Sequence, residues 1–437
     1  MAQDDWDGVL LPHFEVRPTR RFSTIEAAPG QHDKAGAQPR GIYVDLNCEY
    51  TSSIVVAAIQ RRPWCRLDAE LDITSKSVPP VIQLADFENI EWEYVISGRH
   101  GAASYLIRKG LSRKAQLSLQ IRRFLSKRPD SILAQAVPFT VILETWGAFE
   151  DVRMDFGAGT IASFALTCPT PLRQRLEWCL EDGRQEVTSE QRADWLWILK
   201  PSVINKGVDI SVVRDWDGVL DCLEATPDIR EWVCQRYIPN PLLLAGHKFH
   251  LRVYVLCVGA LTVHVFDRIL VLLAARGYDA NDLDDIYRHL TNTARAAETD
   301  GFDEERFVKM LEDLPSFVHG ASTGTVRHIK EQVHLITRDL FRAFENEYTV
   351  FAPMPQCFEL YGLDFLVDDE FRVSLLEANP GPDFKQTGTR LRRVIVELWE
   401  QTCSIVLDGP HPRCPDFTTV YDCEWSSSRI QGGMRFS

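Results

Sequence analysis

The chain contains 437 residues, with 48 Lys and Arg against 62 Asp and Glu, and its formal net charge is −14. At roughly 100–200 residues per domain, this length predicts two or three domains. A hydrophobic content of 45% excludes a chain that is disordered throughout, and the acidic balance argues against a general nucleic-acid binder. Eleven cysteines without a Cys-x-x-Cys pair indicate reduced thiols. The N-terminus lacks the apolar segment of a signal peptide, so we expect a cytoplasmic protein.

The first 140 residues divide into a tail and a domain. Residues 1–40 mix Pro, Gly and charged residues with few periodic apolar positions, and this composition predicts a disordered tail. The segment IYVDL then predicts a strand, and TSSIVVAAIQRR predicts a helix that begins near Thr51 or Ser52. We therefore expect an N-terminal α/β domain over residues 41–140.

A strongly basic segment lies inside this domain. Residues 99–128 hold nine Lys or Arg and no acidic residue. Five apolar residues follow a helical spacing, which predicts one amphipathic basic helix: Ile107, Leu111, Leu117, Ile121 and Leu125. A charged helix face usually does no more than contact solvent. Because this positive charge is uncompensated and lies in an acidic chain, a docking surface for an acidic partner is an equally favoured interpretation. The candidate docking residues are Arg108, Lys109, Arg113, Lys114, Arg122 and Arg123.

From Trp195 onwards, short strand patterns alternate with helical ones. This alternation predicts an α+β or α/β core with mixed sheets. The apolar stretch at 253–275 is interrupted by charges and favours two strands and a turn over a transmembrane helix. Helical patterns are predicted at 304–311 and 325–344, and residues 409–437, which lose apolar periodicity, are expected to form a C-terminal tail.

The strongest local signal is GLDFLVDDEFRVSLLEANPGP, at residues 362–382. Two strand-like runs flank an acidic turn at 368–370, which predicts a β-hairpin. Carboxylates inside apolar strands are costly unless they are compensated, and Mg²⁺ commonly binds through one or two carboxylates plus phosphates. Strand alternation places Glu377 and Asn379 on one face, whereas the position of Asp364 depends on the hairpin register, which stays open. The alternative is a pair of surface carboxylates, which the surrounding Leu, Phe and Val disfavour.

Four basic residues precede this hairpin in strand or loop contexts: Lys200, Lys206, Lys248 and Arg252. Lys248 and Arg252 are four residues apart in a strand pattern and therefore share one strand face. A single lysine of this kind is more often an edge residue that reaches solvent. Together with the acidic hairpin, however, the set combines positive charge with metal ligands, as transfer of a phosphoryl group requires.

Several blocks resemble the tubulin–tyrosine ligase-like family, namely KPSVINKGVDI, CQRYIPNPLLLAGHKFHLRVYVL, HLTN and ELYGLDFLVDDEFRVSLLEANPGP. The ending EANPGPDFKQTG resembles the fungal branch, and SYLIRKGLSRKAQL resembles the basic helix of the family's N-terminal domain more weakly. The resemblance implies an ATP-grasp fold for residues 141–408. It also implies an ATP- and Mg²⁺-dependent ligase that activates a protein carboxylate as an acyl phosphate and joins an amino acid to it. The implied partners are a free amino acid and an acidic protein tail such as that of tubulin.

The resemblance also implies roles for individual residues. Asp364, Glu377 and Asn379 would hold Mg²⁺, and Arg252 would hold the reacting phosphate, which makes Arg252 and Glu377 the implied catalytic residues. The hinge around adenine would act chiefly through backbone groups of residues 235–238. The implied ATP-binding residues are Lys200, Lys206, Gln235, Arg236, Tyr237, Ile238 and Lys248.

Three positions depart from the family pattern. His250 replaces an aspartate, Leu272 replaces an arginine expected to touch phosphate or substrate, and Asp209 replaces a glycine of the phosphate loop. A neutral imidazole lacks the charge of aspartate, and Asp209 would repel a triphosphate. These departures favour an alternative, a catalytically impaired ATP-grasp protein that serves as an interaction scaffold. A third interpretation is an ATP-grasp ligase for a small molecule or a non-tubulin protein.

Overall fold

The computed structural model describes residues 40–68, 71, 81–149, 170–203, 207–291, 307–382, 384, 389–408 and 414–423. The predicted N-terminal tail lies outside the described residues except for Arg40, and Lys206 also lies outside them. The described residues form three β-sheets with helices on their faces. This arrangement confirms the predicted mixed α/β class. The predicted domain boundaries stay predictions.

The first sheet is parallel, with strand order β2-β1-β3-β4. Parallel neighbours need a crossover connection, which helix α1 provides between the first two strands. The predicted helix therefore exists, but it begins at Glu49, two to three residues before the predicted start. The elements are β1 (Arg40–Asp45), α1 (Glu49–Gln60), β2 (Cys65–Asp68), β3 (Val81–Ala85), α2 (Trp92–Ile96) and β4 (His100–Ala102).

Three helices follow, α3 (Lys109–Ser112), α4 (Lys114–Lys127) and α5 (Leu133–Ala136). The prediction of one continuous basic helix was wrong, because Arg113 has extended backbone angles (φ −98°, ψ 123°) and separates α3 from α4. Ile107 lies before α3 and pairs with Ala352 in an isolated bridge. The apolar residues Leu111, Leu117 and Ile121 are buried in the main core, as their spacing predicted.

The second sheet is antiparallel, with strand order β5-β8-β6-β7. Its apolar core is formed with three helices that pack against the strands. The elements are β5 (Thr140–Glu144), α6 (Leu172–Cys179), α7 (Glu181–Val187), β6 (Trp197–Pro201), β7 (Ser211–Val213), α8 (Trp216–Ala225) and β8 (Glu231–Arg236).

The central sheet has eight strands arranged around the long strand β10. β10 pairs with β12 along its first half and with β11 along its second half, and β14 occupies its other edge. The strands are β9 (Leu243–Leu244), β10 (His247–Val258), β11 (Thr262–Phe266), β12 (Leu270–Leu273), β13 (Val308–Met310), β14 (Phe358–Val367), β15 (Val373–Pro380) and β16 (Phe417–Asp422).

Three predictions for this region need correction. The stretch at 253–275 contains β12 in addition to the two predicted strands, and strand β13 lies where a helix was predicted at 304–311, of which 304–306 are outside the described residues. The segment predicted as a C-terminal tail contains β16, which pairs with β11. In each case the strand forms through pairing with a distant part of the chain, which local periodicity does not reveal.

The remaining helices are α9 (Ile286–His289), α10 (Leu314–Phe317), α11 (Thr323–Arg342) and α12 (Thr389–Asp408). The predicted long helix α11 is confirmed, and Ser322 begins it by accepting a hydrogen bond from the backbone of Thr325. α11 packs on one face of the central sheet, while α1 and α12 pack on the other. Within the described part of the chain, no helix is long and apolar enough to cross a bilayer.

Candidate nucleotide and metal site

The predicted hairpin is confirmed, and its register brings the candidate metal ligands together. In the antiparallel pair β14–β15, Asp364 lies opposite Glu377, and Gly362 lies opposite Asn379. A β-bulge after Asp364 shifts the rest of the pairing by one residue. Residues directly opposite each other point to the same face. Asp364 therefore joins Glu377 and Asn379, which settles the alternative that the sequence left open.

Arg252 lies opposite Asp364 on β10 and binds its carboxylate with two hydrogen bonds, of 2.6 and 3.1 Å. Asn379 Nδ2 donates to Asp364 Oδ2 at 3.2 Å and to Glu377 Oε1 at 3.1 Å. Gly362 leaves room for the Arg252 side chain at this point, because a Cβ would approach Arg252 Cδ to 3.1 Å, a tight contact. The result is one hydrogen-bonded cluster on the sheet face.

The two carboxylates have different electrostatic surroundings. Burial raises the pKa of Asp364 to about 6, although Arg252 opposes this. Partial burial also opposes ionisation of Glu377, but Lys114 and Lys200 outweigh it and lower its pKa to about 2. Glu377 is therefore fully ionised at neutral pH, and Asp364 is mostly so.

This donor set fits Mg²⁺ bound together with a nucleotide. It offers two carboxylates and an amide whose oxygen would face them after rotation of the Asn379 side chain. Among the described residues, no group of three acidic, His or Cys side chains is arranged to hold a metal alone. Mg²⁺ typically takes one or two carboxylates and completes its shell with phosphates and water, so a third protein carboxylate is not required.

Two buried lysines face the hairpin. Lys200 on β6 donates to Gln235 Oε1 at 2.9 Å, and Lys248 on β10 donates to Tyr237 Oη at 2.9 Å. Burial lowers the pKa of Lys200 to about 8, and burial together with the charge of Lys200 lowers that of Lys248 to about 7. An anion in the cleft would favour the charged form of both lysines.

These groups line one cleft of about 700 Å³, solvent-open space included, between the second sheet and the central sheet. The structure thus brings together most of the predicted ATP-binding and metal-binding residues at one place. Among those that line the cleft are Lys200, Gln235, Arg236, Tyr237, Ile238, Lys248, Asp364 and Glu377.

The predicted docking residues divide into two groups. Lys114 is buried with its Nζ 3.3 Å from Glu377 Oε2, so it is paired with a cleft residue and is not part of an outer surface. Arg108 forms an ion pair with the buried Glu359 and is also not free to dock a partner. We call the remaining exposed cations of this region the basic surface: Lys109, Arg113, Arg122, Arg123, Lys127 and Arg128.

The structure describes all three residues that depart from the family pattern, His250, Leu272 and Asp209. His250 lies between Lys248 and Arg252 on the cleft face, and its Nε2 is 3.6 Å from Asp364 Oδ1. Burial and the charge of Arg252 lower the pKa of His250 to about 3, so it is neutral. Leu272 lies opposite His250 and is buried in an apolar cluster. Asp209 keeps a left-handed backbone with φ 55°, the conformation that favours glycine and that Asp tolerates better than most residues.

Sequence comparisons show which known proteins this chain resembles. The family model described as "Tubulin-tyrosine ligase family" matches residues 166–413. A probable tubulin–tyrosine ligase of Schizosaccharomyces pombe is 31% identical over 391 residues, covering 82% of this chain and 89% of that protein. The probable tubulin–tyrosine ligase PBY1 of Saccharomyces cerevisiae is 32% identical over 370 residues, or 74% of this chain. The chain spans only 45% of the length of that relative.

A solved structure agrees with the fold. It is the C-terminal domain of Pby1 from K. lactis, described as an ATP-grasp enzyme that interacts with the mRNA decapping enzyme Dcp2. The TM-score is 0.65 at 26% identity, and the match covers 88% of this chain and 99% of that chain. The ATP-grasp fold that the sequence resemblance implied is therefore confirmed.

Proposed function

Because the chain belongs to the tubulin-tyrosine ligase family, we propose that it is an ATP- and Mg²⁺-dependent ligase that joins an amino acid to a carboxylate of an acidic protein tail. The observation that carries this proposal is the cleft in which an acidic hairpin face, Asp364 with Glu377 and Asn379, meets the buried cations Lys200 and Lys248. Positive charge and metal ligands that line the same cleft suit a triphosphate.

The proposed chemistry has two steps. An oxygen of the acceptor carboxylate bonds to the γ-phosphorus of ATP, the bond to the β–γ bridging oxygen breaks, and ADP leaves. The amine of the amino acid then attacks the acyl carbon, phosphate leaves, and the nitrogen loses a proton. A carboxylate is a poor electrophile until its oxygen departs as phosphate, so the first step makes the second possible.

The side chains of the cleft supply charge and position. Lys200 and Lys248 would neutralise the phosphates of the nucleotide, and Arg252 would hold the reacting phosphate. Bound Mg²⁺ would add further charge neutralisation. Positioning of the two substrates together with this neutralisation accounts for most of the expected rate enhancement.

The acceptor is proposed to be acidic because of helix α4. Its first residue, Lys114, lies at Glu377 in the cleft, and its exposed cations follow towards Lys127 at the other end. The exposed cations are Arg122, Arg123 and Lys127 in the second half of the helix, which at about 1.5 Å per residue lie about 12–20 Å along the helix from Lys114. A tubulin C-terminal tail has the required charge and is the acceptor that we propose.

A second candidate function is an ATP-grasp protein that binds partners without catalysis. The observation that favours it is Leu272, which is buried in an apolar cluster where the family pattern has an arginine. Such a protein would bind nucleotide in the same cleft but transfer nothing.

Transfer of a labelled amino acid to purified tubulin, with and without ATP and Mg²⁺, tests the proposed ligase. We expect labelling by the wild-type protein and a loss of about a hundredfold in Glu377→Gln, because the metal loses a carboxylate ligand. The matched control is Glu370→Gln, the same change in the exposed turn of the same hairpin. ATP-independent labelling, or labelling retained by Glu377→Gln, would refute the proposal. Nucleotide binding without labelling of any acidic-tail protein would favour the scaffold.

A further inference from the structure

A chain of hydrogen bonds links the buried ammonium group of Lys248 to the second sheet and to α9. Lys248 Nζ is 2.9 Å from Tyr237 Oη, and Tyr237 Oη is 2.8 Å from His289 Nδ1. His289 Nε2 is in turn 2.8 Å from the carbonyl oxygen of Asp282. All three side chains are buried, with exposed fractions of 7% for Lys248, 3% for Tyr237 and 2% for His289.

The groups at the two ends of this hydrogen-bonded series determine which atom donates in each hydrogen bond. The carbonyl oxygen of Asp282 can only accept a hydrogen bond, so His289 Nε2 carries a proton. Burial lowers the pKa of His289 and favours the neutral ring, which has one proton. His289 Nδ1 is therefore unprotonated and accepts a hydrogen bond. The hydroxyl of Tyr237 therefore donates to Nδ1, and burial raises the pKa of this hydroxyl, which keeps its proton. The free lone pairs of Tyr237 Oη then accept from Lys248. Each donor in the series is therefore oriented by the acceptor that follows it.

Lys248 itself lacks a carboxylate partner in the described part of the chain, where its contacts are the hydroxyl and the ring face of Tyr237, 4.2 Å from Nζ. A buried cation without a counter-charge is costly. The other charged or titratable groups around the cleft, besides Tyr237 and His289, are Lys200 on β6, Arg236 on β8, His250 and Arg252 on β10, Asp364 on β14 and Glu377 on β15. Of these, Lys200 disfavours a charged Lys248.

The hydrogen-bond chain also has a consequence for the cleft as a whole. Tyr237 follows β8 of the second sheet, and Lys248 lies on β10 of the central sheet, so the bond between them joins the two walls. The hinge residue Tyr237 was expected to act chiefly through its backbone. Its backbone N–H donates to Leu196 within the second sheet, and its side chain makes the link to the central sheet.

We propose that Tyr237 and His289 are positioning residues that hold the Lys248 ammonium group in place for the phosphates of a nucleotide, through a hydrogen-bonded chain of fixed polarity. This inference rests on the proposed nucleotide binding. It assigns a role to the tyrosine hydroxyl and to the histidine ring, neither of which needs to touch the nucleotide.

The test is calorimetric titration of Mg²⁺–ATP into the full chain at several pH values. We expect Tyr237→Phe to weaken affinity roughly tenfold, the effect of one lost hydrogen bond to a charged group. We also expect the pH at which affinity falls to move downwards, because the ammonium form loses its acceptor. The matched control is Tyr105→Phe, another buried tyrosine, whose hydroxyl donates to the carbonyl of Gly259 away from the cleft.

Two substitutions of His289 separate a polar role from a packing role. Asparagine keeps an acceptor close to the position of Nδ1, whereas leucine removes it at similar size. We expect His289→Asn to retain most of the affinity and His289→Leu to bind like Tyr237→Phe, with thermal unfolding used to confirm that each variant is folded. A packing role would weaken both variants equally and leave the pH profile unchanged.

The outcomes distinguish this inference from the proposed function. Wild-type affinity and an unchanged pH profile in Tyr237→Phe, or equal losses in the two His289 variants, would overturn the inference alone. If the wild-type protein failed to bind Mg²⁺–ATP, the proposed function would fall, and this inference with it.

Discussion

The buried lysines Lys200 and Lys248 lower the stability of the folded protein and provide positive charge for binding a nucleotide. Burial lowers the pKa of each lysine below its ordinary value of 10.5. Between the folded and the unfolded pKa values, the unfolded chain therefore binds more protons than the folded protein. By linkage, the contribution of these lysines to the free energy of unfolding rises with pH across this interval, from about 7 for Lys248 upwards.

The first prediction at this scale concerns Lys248→Met. Methionine fills a similar volume without the cost of a buried charge, so we expect the nucleotide-free variant to unfold a few degrees above wild type at pH 7. The difference in unfolding temperature should be smaller at pH 9, where Lys248 of the folded wild-type protein is mostly deprotonated. Thermal unfolding at both pH values measures this, with the exposed Lys127→Met as the matched control. A lower unfolding temperature for Lys248→Met would contradict the expected sign of this effect.

Individual residues were predictable from sequence where strand alternation and apolar context decide the outcome. Glu377 and Asn379 were placed on one face by that pattern, and Lys248 and Arg252 on another strand face. Lys114 was misplaced among the docking residues, because its contact with Glu377 joins positions more than 260 residues apart. No local pattern contains such a contact.

At the scale of elements, helix α4 connects the cleft to the outer surface. Its apolar side packs in the core, its first residue reaches the acidic hairpin, and Arg122 donates to the carbonyl of Thr140, the first residue of β5. The exposed cations Arg123 and Lys127 have no ion-pair partner among the described residues. An unpaired, solvent-facing row of positive charge is suited to attract an acidic chain.

We therefore predict that Arg123→Glu and Lys127→Glu each weaken binding of a fluorescent polyglutamate peptide several-fold at low salt. The loss should diminish towards 1 M salt, where the screening length is about 3 Å. The matched control is Arg327→Glu, the same charge reversal on an exposed position of α11. Fluorescence anisotropy measures the affinity of each variant for the peptide at low and at high salt. Equal effects of the Arg123 and Arg327 reversals would show that only net charge matters.

Elements were predictable where the apolar period is long and uninterrupted, as in α11 and in the β14–β15 hairpin. The break between α3 and α4 was missed, since the apolar spacing continues across Arg113 although its backbone is extended. The hairpin register was open in the sequence because a β-bulge after Asp364 sets it. A bulge inserts one extra residue on one strand, which strand alternation in the sequence does not show.

At the scale of the whole molecule, the cleft exists because two sheets meet at one end of β10. Beyond Arg252, the same strand face carries Tyr254 and Leu256 and is covered by α12 and α1. The polar residues 248, 250 and 252 lie at the end of this face that lines or borders the cleft. The ATP-grasp architecture was predictable from ordered sequence blocks, whereas β16 was not, because it is stabilised by pairing with β11.

The central claim is that this cleft binds Mg²⁺–ATP through the acidic hairpin face, and one calorimetric comparison tests it most directly. Mg²⁺–ATP is titrated into the wild-type protein and into the double variant Asp364→Asn/Glu377→Gln, with thermal unfolding to show that both are folded. We predict saturable binding at one site in the wild type and no detectable binding in the double variant. Equal binding by both proteins, or binding by neither, would contradict the claim.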